Sequence, residues 1–139
     1  MVDVEQCITE IAAFGPSIGL QSTAFDNWGT KTNELKMQEV GMVCHQFRQG
    51  FKSMSPAMKD IERLVGTNCL AHGDNPVTRW MLSNVEAERD AAANIKPSRK
   101  RKENKIDGIV AMIMALGEAL TFAGKEQQSY LFEEDLITF

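Results

Sequence analysis

Apolar positions recur along the chain at two periods, and the periods separate helices from strands. In DVEQCITEIAAF, residues 3–14, Val4, Ile8, Ile11 and Ala12 share one helical face, and Gly15-Pro16 ends the helix. LQSTAFD, residues 20–26, is short and β-prone and reads as a strand ending at Asp26. TKTNELKMQEVG carries a helical pattern from about Thr32, with Gly41 as its C-terminal stop. MVCHQF, residues 42–47, alternates apolar and polar positions and reads as a second strand. The order helix–strand–helix–strand predicts an α/β crossover and a parallel pair.

After the glycine-bearing link RQGFKSM, the segment SPAMKDIERLVG predicts a helix capped by Ser55 with Pro56 at its first position. Its buried stripe is Met58, Ile61, Leu64 and Val65. NPVTRWMLSNV repeats this grammar, with Asn75 as cap, Pro76 first, and Val77, Trp80 and Met81 facing inward. VEAERDAAANIKPSRKRKEN is polar and turn-rich, a hairpin around residues 84–95 or a long loop. A helix over Ile106–Leu120 follows, and the tail to Phe139 is weakly patterned, with no internal repeat anywhere. Two parallel strands and a hairpin make a marginal sheet. The sheet reads as unfinished, with its first strands expected upstream of Met1 and the chain expected to be part of a larger fold.

Composition narrows the class. The chain has 139 residues, 43% hydrophobic and 24% charged, which suits one globular domain. No apolar run reaches the roughly 20 residues that span a bilayer, and MVDVEQCITEI lacks the basic-then-apolar order of a secretory signal. Cys7, Cys44 and Cys69 are odd in number, widely spaced and set among apolar residues, the pattern of reduced core thiols in a cytosolic protein. The net charge of −4 hides an asymmetry, because KPSRKRKENK, residues 96–105, holds six basic residues against one acid. Beyond Lys125 the tail carries Glu126, Glu133, Glu134 and Asp135. A local basic block on an acidic chain suggests a phosphate-contacting loop, with a solvated, partly disordered loop as the plain alternative.

Two aspartates are candidates for chemistry. Asp26 ends the first strand and precedes Asn27, Trp28 and Gly29. Ligands bind at the carboxyl edge of open α/β sheets, although a strand-end Asp equally makes an Asx turn or caps the next helix. Asp107 opens the apolar run in KIDGIVAMIMALGEAL, residues 105–120, and Asn104 three residues earlier gives N-x-x-D, a capping-box variant. Gly108 beside it costs about 1 kcal/mol of helix propensity and permits close approach of another group. Carboxylates at a sheet edge and at a helix start, beside a basic loop, suit hard divalent ions, and phosphoryl transfer uses two such ions. Such a site usually has three or more acids, and this chain offers two well-placed ones.

His72, in LAHGDNPVTRW, could serve as a general base or orient a phosphate, or it could belong simply to a turn. Asp74 is either a further acid or a part of the helix start, and His45 is a strand residue. Met37, Met42, Met54, Met58, Met81, Met112 and Met114 read as core filler. The phosphate-loop, paired-cysteine, zinc-protease and serine-hydrolase signatures are absent, which leaves an ATPase, zinc enzyme or serine hydrolase unsupported.

FRQGFKSMSPAMKDIERLV, HGDNPVTRWMLSNV with its downstream NIKP, and KIDGIVAMIMALGEAL, in this order and spacing, resemble the carboxyl-terminal nuclease domain of tailed-phage terminase large subunits. The upstream FDNWG resembles that family's strand-end aspartate followed by a tryptophan, so the resemblance runs from about Ala24 to Leu120. It implies an α/β, RNase H-like nuclease fold, partial here, with a small, mainly parallel sheet flanked by helices. It also implies cutting of concatemeric viral DNA with two divalent ions, Mg2+ or Mn2+, during genome packaging in the bacterial host cytoplasm. Asp26 matches the second acidic ligand and Asp107 the ligand on the last helix. His72, Asn75, Arg79, Trp80 and Asn84 match a family motif, and His72 is taken as the third catalytic candidate. Lys96, Arg99, Lys100, Arg101, Lys102 and Lys105 are expected to meet the DNA backbone, which gives affinity independent of sequence. Double-stranded DNA is the implied substrate, and the terminase small subunit and portal are the implied partners, with no membrane.

The chain departs from the family pattern in three places. The family's first catalytic aspartate lies on an opening strand, and here one helix precedes the Asp26 strand. The ATPase motor is missing, and HGDNP carries an acid where a second glycine is common. Residues 1–124 are therefore expected to be the back part of a nuclease domain, from a prophage remnant or split gene, and 125–139 an acidic tail. Such a chain is expected to be weakly active or inactive alone. The alternative is a non-catalytic remnant that self-associates as a homo-oligomer covering its exposed sheet edges.

Overall fold

A computed structural model of the chain describes residues 3–26 and 31–134, with side chains as far as residue 123. The chain divides into two compact units, Met1–Arg48 and Gln49–Phe139.

In the first unit, helix α1 (Val4–Phe14) begins where the Asp3 carboxylate accepts the Gln6 N–H at 3.0 Å, satisfying one of the donors a helix start leaves open. Of the expected stripe only Ile8 is buried, while Val4 and Ile11 stay 44% and 40% exposed. Gly15-Pro16 does end the α-helix, but the chain continues as a 3-10 turn over Gly15–Ile18 before Gly19, at φ 63°, breaks it. Strand β1 (Thr23–Asp26) then pairs in parallel with β2 (Cys44–Phe47), in a register running from Thr23 opposite Cys44 to Asp26 opposite Phe47. Helix α2 (Lys31–Glu39) makes the crossover, and Gly41, at φ 78°, turns the chain back toward β2. Lys36 and Glu5 form an ion pair between α2 and α1.

The second unit opens with α3 (Phe51–Gly66), followed by α4 (Pro76–Ser83), the antiparallel hairpin β3 (Val85–Arg89) and β4 (Ile95–Arg99), and α5 (Asp107–Glu134). Its core forms where α3 packs on β4 and α5, from Met54, Ala57, Met58, Ile95, Ile106, Ile109, Ile113 and Met114. Each fully buried large side chain here contributes roughly 1.5–3 kcal/mol by leaving water. The hairpin turn is held by Asp90, whose carboxylate accepts the N–H groups of Ala92 and Asn94 and the Asn94 side-chain amide.

Five expectations need correction. Helix α3 starts at Phe51 behind Gly50, so Pro56 lies in its second turn and Ser55 does not cap it. Ser55 is instead 2% exposed, and its hydroxyl accepts the Ile95 N–H at 3.1 Å, tying α3 to β4. Burial of Met54 at the first turn outweighs the preference of proline for a helix start. The buried face of α3 accordingly runs through Met54, Ala57 and Met58, and Val65 is 54% exposed. On α4 the cap is as expected, with Asn75 accepting from Val77 and Thr78, but Val77 and Trp80 face solvent. Cys7 and Cys69 are exposed and Cys44 half-buried, all free, so they are not core thiols. Helix α5 runs past Leu120 to Glu134.

Candidate functional site

Asp107 is the first residue of α5. The helix begins because the Ile106 carbonyl accepts from Ile109 at 2.9 Å and from Val110 at 3.0 Å, while Ile106, Ile109 and Ile113 anchor the buried face. Asp107 and Gly108 fall on the opposite, exposed side. The capping box is not formed, since the acid would have to sit in the third helical position with Asn104 as cap. Asn104 lies instead in the preceding turn, its N–H given to the Arg101 carbonyl at 3.0 Å. A first-turn carboxylate suits the positive end of the helix dipole. The Asp107 carboxylate makes no ion pair or side-chain hydrogen bond among the described residues, which leaves its oxygens open to a ligand.

The acid is set in place from α4. Gly108 donates its N–H to the Met81 sulfur at 3.2 Å, and a Cβ on Gly108 would lie 2.8 Å from that sulfur, so the close approach expected beside Asp107 is made by Met81. Asn84, the C-terminal cap of α4, is 9% exposed and donates its amide to the Lys105 carbonyl at 3.1 Å.

Asp26 is the last residue of β1, half-buried and opposite Phe47, at the strand end where the sequence put it. Asn27, Trp28 and Gly29 of the FDNWG segment lie outside the described residues. His72 is exposed in the turn that enters α4. Gly73 and Asp74 follow it at φ 66° and 51°, two left-handed residues in a row, the conformation that favours glycine. Asp74 lies in this turn and its carboxylate pairs with Arg79 at 3.0 Å.

The basic run divides by side-chain contact. Lys96 lies 3.3 Å from Glu88 and 4.6 Å from the centre of the Phe51 ring. Lys100 gives its ammonium to the Ser83 carbonyl at 2.7 Å, at the negative end of α4. Arg99, Arg101, Lys102 and Lys105 are exposed and have no side-chain partner among the described residues. No three His, Cys, Asp or Glu side chains gather into a metal-binding group among those residues. Carboxylate oxygens are the right donors for a hard divalent ion, so Asp26 and Asp107 fit magnesium or manganese in kind, each as one ligand.

Met81 matched a helical face and Asn84 a family motif, but the contacts they make to the start of α5 could not be read from the sequence. Their partners lie 27 and 21 residues away along the chain, beyond the reach of any local pattern.

The chain resembles known proteins over most of its length. It is 32% identical over 136 residues to the terminase large subunit of Enterobacteria phage HK97, which covers 94% of this chain and 27% of that protein. It is 34% identical over 132 residues to protein YmfN of Escherichia coli K12, covering 92% of this chain and 29% of that protein. The chain thus spans under a third of the length of these curated relatives. The crystal structure of the HK97 large terminase superimposes with a TM-score of 0.75 and 33% identity, over 84% of this chain and 25% of that one. The large terminase nuclease of the thermophilic phage G20c, at 14% identity, shares the fold with a TM-score of 0.66 over 83% of this chain and 62% of that one. The α/β, RNase H-like architecture of the terminase nucleases, with its small parallel sheet and flanking helices, is therefore the fold of this chain. Residues 1–122 match the family described as terminase large subunit, endonuclease domain, and the chain belongs to that family.

Proposed function

We propose that the chain is part of a phage terminase large-subunit endonuclease that cuts concatemeric double-stranded viral DNA during genome packaging, by a two-metal-ion mechanism. Residues 1–124 form the nuclease part and 125–139 an acidic tail. The observation that carries this reading is the exposed, unpaired Asp107 carboxylate at the head of α5, two residues beyond Lys105 in a chain of this family.

Asp107 and Asp26 each lend a carboxylate to Mg2+ or Mn2+. When bound, such ions supply Lewis acidity toward the scissile phosphate and lower the pKa of the attacking water. Arg99, Arg101, Lys102 and Lys105 hold the DNA backbone by charge, while Lys96 and Lys100 shape the hairpin and the α4 end that carry them. His72, exposed ahead of α4, orients a phosphate or accepts a proton. The terminase small subunit and portal are the partners, in the cytoplasm of the bacterial host, and no described helix is long and apolar enough to cross a membrane.

Incubation of supercoiled plasmid with the chain tests this. Nicking is expected to be slow, to require Mn2+ or Mg2+, and to fall in Asp107→Asn and Asp26→Asn. Cleavage equally fast in Asp107→Asn, or in the presence of a chelator, contradicts it.

A second reading, a self-associating non-catalytic remnant, is favoured by one feature. Among the described residues β1 and β2 pair only with each other, which leaves both outer edges open to another strand. A concentration-independent monomer in sedimentation removes it.

A further inference from the structure

We infer that the C-terminal turn of α4 is a clamp that holds the basic segment Lys100–Lys105 in fixed register with Asp107, and that Asn84 is its positioning residue. The inference rests on the DNA-binding reading of that segment. Both ends of the segment are held by the same residue. The Lys100 N–H donates to the Asn84 carbonyl at 3.0 Å, and the Asn84 side-chain amide donates to the Lys105 carbonyl at 3.1 Å. The Lys100 ammonium adds a third bond, to Ser83, and Gly108 adds a fourth, to Met81.

Asn84 and Ser55 are the buried polar residues of the described chain, and burying an amide is unfavourable unless its hydrogen bonds are made. Asn84 makes them to the backbone of the basic segment, not to its side chains. Lys105 directly precedes Ile106, whose carbonyl starts α5, so holding Lys105 fixes where Asp107 begins. Between the held ends, the bond from Asn104 to Arg101 closes a tight turn with Arg101 and Lys102 exposed on it. The clamped turn presents its cations already ordered, and a backbone ordered before binding loses less entropy on binding. Phosphate contacts and the carboxylate are thereby held as one body.

The test measures affinity of the 139-residue chain for random-sequence duplex DNA across salt concentration. Each phosphate contact adds about 0.9 to the steepness of log affinity against log salt. Asn84→Ala, which keeps every cation, is expected to lower that steepness by about one to two, as Arg101→Ala with Lys102→Ala does by removing charge. A change in stability alone leaves the slope of the folded population unmoved. Slopes and affinities equal to the parent chain in Asn84→Ala overturn the clamp and leave DNA binding intact. A parent chain without salt-dependent binding overturns the DNA reading and this inference with it. Hydrogen exchange of the parent chain, free of DNA, decides the matter if Asn84→Ala does not fold. Slow exchange at the Lys100 and Gly108 amides is expected, and exchange at the rate of an open loop overturns the clamp.

Discussion

Gly108 and Met81 meet so closely that a side chain on Gly108 would displace the Met81 sulfur, which accepts the Gly108 N–H at 3.2 Å and lies 2.8 Å from where a Cβ would stand. The residue after Asp107 therefore trades helix propensity for a contact that docks the start of α5 on α4. Gly108→Ala is expected to destabilise the chain by about 1 kcal/mol, because displacing the sulfur outweighs the propensity gained. In a Met81→Ala background the same change is expected to be neutral or stabilising, giving a coupling of at least about 0.5 kcal/mol in urea unfolding. Additive effects would show that the two residues do not constrain each other.

Ser55 is a buried tie between α3 and β4. Ser55→Ala leaves the Ile95 N–H without its acceptor in a site that water does not reach. A loss of about 1–3 kcal/mol is expected by chemical denaturation. A change within error would mean that Ile95 finds another acceptor.

In the hairpin turn, Ala93 holds φ 59°, a left-handed conformation that Cβ disfavours. Ala93→Gly is expected to stabilise the chain by up to about 1 kcal/mol, relief at the turn exceeding the added freedom of the unfolded chain. A lower melting temperature would contradict this.

Asp90 gives the same turn a pH dependence. The hydrogen bond from the Asn94 side chain, helped by the backbone N–H groups of Asn94 and Ala92 and by Lys59, holds its carboxyl below the ordinary value of 3.8. A depressed folded-state value means that folding favours the ionised form. The contribution is complete above the unfolded value and is lost as pH falls through the lower folded value. The stability gap between the parent chain and Asp90→Ala is thus expected to be constant at neutral pH and to shrink only below about pH 4. A gap unchanged into strong acid would show that the charge contributes nothing.

What the sequence made legible follows from how local the signals were. The parallel pair and its crossover could be read because alternation in MVCHQF and the stop at Gly41 are local, and the hairpin because its turn residues are consecutive. Asn75-Pro76 and Ser55-Pro56 look alike as letters, yet only the first is a helix start. The difference is the burial of Met54, a tertiary fact. Val77 and Trp80 have helical spacing yet stay about half exposed, since periodicity marks a face without saying what packs on it. Asp26 and Asp107 stood out by position at a strand end and a helix start, but local chemistry could not separate a ligand from a turn or cap residue, and the family resemblance tipped the reading. The contacts of Asn84 and of the basic run were hidden because their partners are far along the chain: Asn84 reaches Lys105, and Lys100 reaches Ser83 across the hairpin.

The central claim, that Asp26 and Asp107 hold divalent ions, is tested most directly by calorimetric titration of the chain with Mn2+. Saturable binding is expected in the parent chain, weakened tenfold or more in both Asp107→Asn and Asp26→Asn, a loss of about 1.4 kcal/mol or greater, with unchanged melting. Mn2+ binding of parental strength in both variants would contradict the account.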